Sequence, residues 1–184
     1  MSRMLVVATV AAALSATCAG CSGKDPLNPG TKLGTFRVRA SLTRSTCGPT
    51  PNPWAFEVRL AHDGPTLYWI QGGAPVQGPI DSNAKALFET EAVHDVRAAD
   101  PKRKQAACSI ARSDALAITL LGADGKPVAD PALTSSFSGS LVYAFAPTEG
   151  SDCSDQLTAF GGGFESLPCA VAYGVAGTLE RAPE

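Results

Sequence analysis

The sequence predicts an all-β domain, an antiparallel meander of about eight strands forming a small barrel or, as the competing solution, a two-sheet sandwich. Three observations predict it. Apolar residues alternate with polar ones in short runs, the period-2 signature of strands with one buried face. The chain carries 18 glycines and 14 prolines, which suits many short strands joined by turns. Charged residues make up only 17% against 45% hydrophobic, which excludes a disordered chain and one built on salt-bridged helices.

The strands follow in order. Phe36, Val38, Ala40 and Leu42 alternate with Arg37, Arg39 and Ser41. Residues 54–61 repeat the pattern, with Phe56, Val58 and Leu60 opposite Glu57 and Arg59. Residues 66–71 form a third strand, and His62-Asp63-Gly64-Pro65 before them is a hairpin turn. Residues 75–80 read as a short edge strand, because Pro79 has no N–H to give a ladder. Residues 84–96 have helical propensity, yet Phe88, Thr90, Ala92 and Val96 alternate with Glu89, Glu91 and Asp95, which favours a strand. Residues 100–105 are a charged loop. Residues 107–112 and 116–121 read as two strands around Ser113-Asp114, followed by a turn at residues 123–127.

Residues 138–145 form a strand with Leu141, Tyr143 and Phe145 on one face. Residues 169–179 form the last, with Val171, Tyr173, Val175 and Leu179 opposite a face of alanine and glycine. A closed barrel removes the exposed edges an open sheet would leave, although periodicity cannot separate it from a sandwich. The outward residues Arg37, Arg39, Glu57 and Arg59 exclude a barrel with an apolar lipid-facing surface.

The amino terminus reads as an export signal. Arg3 is followed by an apolar run from Met4 to Ala16, too short to span a bilayer, and then by Thr17-Cys18-Ala19-Gly20-Cys21. Ala19-Gly20-Cys21 resembles the end of a bacterial lipoprotein leader, with Cys18 where that family places an aliphatic residue. The resemblance implies cleavage after residue 20 and lipidation of Cys21. Ser22 after the cysteine implies attachment to the outer membrane of the cell envelope, the alternative being a secreted or periplasmic protein. Cutting before Cys18 fits the pattern less well, and Cys18 with Cys21 as a redox pair would need a βαβ setting. Residues 21–33 are expected to be a flexible tether and residues 34–184 the domain. Gly34-Thr35-Phe36 resembles the Gly-x-Trp start of lipocalins, with Phe for Trp; a barrel here would be calycin-like.

Four cysteines remain in the domain: Cys47, Cys108, Cys153 and Cys169. An even number in an oxidising compartment implies disulfides. Of three pairings, Cys153–Cys169 with Cys47–Cys108 is expected, since the first closes a short loop. Zinc ligation has neither C-x-x-C spacing nor a neighbouring histidine behind it, so no metal is expected.

Little else points to chemistry. His62 lies in a turn, and His94 and Asp95 are strand neighbours that face opposite ways. No G-x-S-x-G or H-E-x-x-H motif occurs. Asp124, Asp130, Asp152 and Asp155 read as turn-capping carboxylates in preference to calcium ligands. Gly161-Gly162-Gly163 reads as a loop rather than a phosphate cradle, and Lys102-Arg103-Lys104 as a solvated turn. A net charge of -2 gives no reason to expect nucleic acid. Tyr143, Phe145 and Tyr173 are the candidate ligand-lining residues, because the interior of an eight-stranded barrel is either filled or holds one small ligand. The expected function is that of a non-enzymatic envelope lipoprotein without cofactor, binding a small apolar ligand or a protein partner. The alternative is an envelope hydrolase.

Overall fold

The structure is a computed structural model that describes residues 25–182. The leader, the acceptor Cys21 and the Cys18–Cys21 pair lie outside the described residues. Eight strands follow one another: β1 (Thr31–Ser45), β2 (Trp54–Asp63), β3 (Thr66–Ile70), β4 (Val76–Pro79), β5 (Lys85–Arg97), β6 (Cys108–Leu121), β7 (Ser136–Pro147) and β8 (Cys169–Arg181). They form one antiparallel sheet in the order β4-β3-β2-β1-β8-β7-β6-β5. Strands adjacent in sequence thus pair with each other, β4 with β5 excepted, and β1 pairs with β8, from Thr35 opposite Arg181 to Ser45 opposite Val171. The result is an up-and-down barrel, closed except at the seam between β4 and β5.

That seam is closed at one end only. Ile80 bridges to Ala86, and the Asp81 N–H donates to the Lys85 carbonyl at 2.8 Å. Gly78 makes the approach possible, since a Cβ there would stand 2.2 Å from the Leu87 carbonyl oxygen. Beyond this point β3 and β4 have ended at Ile70 and Val76, while β5 continues to Arg97 paired with β6 alone. Most of β5 from Glu89 onward is accordingly exposed.

Alternation fills the closed half. Phe36 and Val38 of β1, Val58 and Leu60 of β2, Leu67 of β3, Ile118 and Leu120 of β6 and Phe137 of β7 are at most 2% exposed. Each such side chain contributes roughly 1.5–3 kcal/mol by leaving water. One inward position of β8 must be small: a Cβ on Gly177 would lie 2.2 Å from the Phe137 ring, so glycine leaves room for that ring in the core.

Three expectations are corrected. First, residues 107–121 do not break at Ser113-Asp114; β6 is continuous and pairs residue for residue with β5 and β7 through that point. Polar residues in mid-strand read as a link in sequence, but Arg112 and Asp114 bond each other instead of ending the strand. Second, the cysteines pair as Cys47–Cys169, with Cα atoms 5.0 Å apart, and Cys108–Cys153, at 4.9 Å. Short loop length is the wrong criterion here. Cys47 and Cys169 continue the β1–β8 ladder beyond Ser45 opposite Val171, so sheet register sets the pairing. Cys153 is carried past the end of β7 toward β6, where the Asp152 N–H reaches the Ala107 carbonyl at 2.9 Å. Third, the strand starts inside the expected tether: β1 begins at Thr31 and Leu33 is buried. Residues 25–30 also lie on the barrel, where Asn28 accepts from Arg59 at 2.7 Å.

The charged loop contains one 3-10 turn, Pro101–Arg103, whose N–H groups are capped by Asp100. The segment between β7 and β8 contains two more, Ser154–Gln156 and Thr158–Phe160.

Candidate functional site at the open end of the barrel

The inward residues change character along the barrel. From the closed end a chain of aromatic contacts runs upward. Phe36 meets Phe137 at 5.6 Å between centroids, Phe137 meets Trp69 at 5.7 Å, and Trp69 meets Phe56 at 6.1 Å. Phe56 stacks on Trp54 at 4.6 Å, and Trp54 reaches Tyr173 at 6.0 Å. Above Trp69 the packing is incomplete, because β3 and β4 stop there and supply no further side chains.

A recess of about 210 Å³ opens at this level. Trp69, Phe88, Leu116 and Leu141 are its buried apolar floor, Thr90 and Gln71 stand at its rim, and Arg112, Asp114 and Tyr143 are among its other lining residues. For scale, a cavity of about 150 Å³ lined by aliphatic and aromatic side chains takes up benzene. A second, more open recess of about 410 Å³ lies beside it, over Trp54, Phe145, Phe164, Val171 and Tyr173. Arg112 and Tyr143 line both.

The Arg112–Asp114 pair follows from strand geometry. Residues two apart on a strand share a face, so both side chains enter the barrel from β6. Asp114 accepts from Arg112 Nε and Nη2, each at 2.7 Å, a bidentate pair. The register sets Tyr143 and Thr90 opposite Asp114, and Phe145 opposite Arg112. The guanidinium carbon stands 4.7 Å from the Tyr143 centroid and 5.9 Å from that of Phe145. The hydrogen bond to Asp114 raises the Arg112 pKa above its ordinary value despite partial burial. Burial, and then the Asp114 charge, raise the Tyr143 phenol above 10.0, so it is a protonated donor at neutral pH.

The structure brings together the three lining residues expected from sequence, Tyr143, Phe145 and Tyr173, around the second recess. Tyr173 is buried and its hydroxyl donates to the Pro51 carbonyl at 3.2 Å. Sequence reasoning missed Trp54, Trp69, Arg112 and Asp114. The signal for the last two was available: they fall in the inward parity of Ile110, Leu116 and Ile118.

Both disulfides lie at this end and fix its rim. Cys47 anchors the loop between β1 and β2, across which the Glu165 N–H donates to the Cys47 carbonyl at 2.9 Å. Phe164 packs on Phe145 at 5.5 Å from the same direction. Arg97, at the end of β5, holds the segment after β7 by an ion pair with Asp155 and by donating to the Asp152 carbonyl at 2.8 Å. Arg97 is the first cause of the lowered Asp155 pKa, and the Ser154 N–H is that for Asp152.

The sign of the pH effect is fixed by that depression. A carboxylate held below its ordinary value of 3.8 stabilises the fold above that value, and the contribution is lost as pH falls through the folded value. The melting temperature is therefore expected to be flat in the neutral range and to fall below pH 3.8. Asp155→Asn is expected to lower it at pH 7 and to make the acid drop shallower, as followed by thermal melts between pH 2 and 7.

The remaining carboxylates singled out from sequence have local partners. Asp124 accepts from the Lys126 N–H at 3.0 Å, and Asp130 from that of Ala132 at 2.9 Å. Asp95 accepts from the Ser109 hydroxyl at 2.7 Å, on the face opposite to His94. Gly161 takes a left-handed φ of 88° to end the turn at Thr158–Phe160. Among the described residues no group of three histidine, cysteine or carboxylate side chains is arranged to hold a metal ion.

These features define a class, an eight-stranded up-and-down barrel filled at one end and open at the other over an aromatic recess with one internal ion pair. Comparison with protein-family models, curated proteins and solved structures finds no match to this chain.

Proposed function

We propose that the protein is a non-enzymatic binding protein of the cell envelope, tethered to the outer membrane by lipid on Cys21, that takes a small apolar ligand into the open end of its barrel. The observation that supports this reading is the incomplete filling of the interior above Trp69, where buried aromatic and aliphatic surface borders the 210 Å³ recess. Burial of a ligand's apolar surface there contributes about 25 cal/mol per Å² before the costs of association.

The topology favours uptake from the aqueous side. β1 enters at the closed end, where Thr31 pairs with His62, and leaves at the open end, where Cys47 meets Cys169. Cys21 precedes Asp25 by four residues, a reach of at most about 14 Å. An acyl anchor on Cys21 would thus hold the closed end toward the bilayer and leave the open end facing away. Mass spectrometry of the protein purified from its native membrane tests the anchor. Acylated Cys21 is expected, and an unmodified amino terminus would contradict it.

Thr90→Trp tests the ligand site. Thr90 is exposed at the rim, so the change is expected to alter stability by no more than about 0.5 kcal/mol. Its indole would occupy the recess and weaken calorimetric binding of 2-ethylnaphthalene at least about tenfold, some 1.4 kcal/mol. Unchanged binding would place the ligand elsewhere.

A further inference from the structure

We infer that the natural ligand is a neutral, flat aromatic molecule carrying a carbonyl oxygen at its edge, which accepts a hydrogen bond from Arg112. This rests on the reading of the open end as a ligand site and adds the chemical class of what it takes.

Charge and donor balance in the recess select such a ligand. Asp114 already neutralises Arg112 and occupies its Nε and Nη2 groups. Nη1 donates to nothing among the described residues, and neither does the Tyr143 hydroxyl. The site therefore offers N–H and O–H donors without net positive charge. A ligand carboxylate would add a third, uncompensated charge beside a half-buried pair and would lose hydration that nothing replaces. A purely apolar ligand would cover the donors and leave them unsatisfied. A carbonyl oxygen satisfies them at no charge cost. Flatness follows from the neighbours, since Arg112 lies over the Tyr143 ring and the floor below includes Trp69 and Phe88. The volume of about 210 Å³ sets the size at one or two rings.

Three naphthalene probes of similar size separate the possibilities: 2-acetylnaphthalene, 2-ethylnaphthalene and 2-naphthoate, titrated calorimetrically into the full domain at neutral pH. The ketone is expected to bind at least about tenfold tighter than either of the others, the size of a hydrogen bond to a charged donor. Arg112→Met is expected to bring the ketone down to the level of the hydrocarbon. Asp114→Asn removes the neutralising charge, so naphthoate is expected to overtake the ketone. If Arg112→Met does not fold, the ranking on the unaltered protein and its reversal in Asp114→Asn still decide. Equal binding of ketone and hydrocarbon, or naphthoate binding tightest to the unaltered protein, overturns the inference while leaving an apolar ligand site standing. Failure of all three probes to bind removes both.

Discussion

Replacing Cys47 and Cys169 together by serine is expected to destabilise the domain by about 5 kcal/mol, which lowers the melting temperature by roughly 10–20 °C in a chain of this size. The bond joins residues separated by 122 positions, so it removes nearly the largest loop-closure entropy this chain can offer. It also extends the β1–β8 ladder, the one long-range strand pairing that turns a meander into a barrel. All other strand pairs form between sequence neighbours and need no such help. Replacing Cys108 and Cys153, separated by 45 positions, is expected to cost about 4 kcal/mol by the same reasoning. Denaturant melts of the oxidised variants measure both losses. A change under about 1 kcal/mol for the first pair would show that the closing strands hold without it. Peptide mapping of the oxidised protein checks the connectivity itself.

Phe137→Ala is expected to cost about 3–5 kcal/mol, because its ring is 1% exposed and touches both Phe36 and Trp69. Gly177→Val alone is expected to be similarly damaging, for its first carbon would stand 2.2 Å from that ring. The double variant is the informative one. With the ring gone, the valine methyl groups enter the space it vacated, so the double loss is expected to fall at least about 2 kcal/mol short of the sum. Additive losses would mean that Gly177 is required by the β8 backbone itself and not for the ring. Chemical denaturation of the four proteins settles the cycle.

How much of this could be read from residues alone differs between the two halves of the barrel. The closed half was legible, because Phe36, Val38, Val58 and Leu60 alternate with charged neighbours and a period of two leaves few other structures. The choice of barrel over sandwich was not, since both bury the same faces; closure depends on β1 meeting β8 across the whole chain, a contact that no local pattern encodes. The disulfide pairing was illegible for the same reason. At the open end, Tyr143, Phe145 and Tyr173 were expected to line a ligand because aromatic residues stand out on alternating strands, and they border the second recess. Arg112 and Asp114 were missed because two polar residues flanking a serine look like the end of a strand. Their role is visible only when the register puts them opposite Phe145 and Tyr143. Trp69 falls within the strand read at residues 66–71, yet its position under a recess depends on where β3 and β4 stop.

A binding role requires that the interior be unfilled at one end and accept a ligand there. The chain has two tryptophans, and both line the recesses, Trp69 the first and Trp54 the second. Their indole N–H signals in a proton–nitrogen correlation spectrum are therefore a direct report. Titration with 2-acetylnaphthalene is expected to shift the Trp69 signal saturably, and that of Trp54 less, with amide shifts confined to residues near Arg112 and Tyr143. Two indole signals that stay in place while scattered surface amides move would contradict the claim.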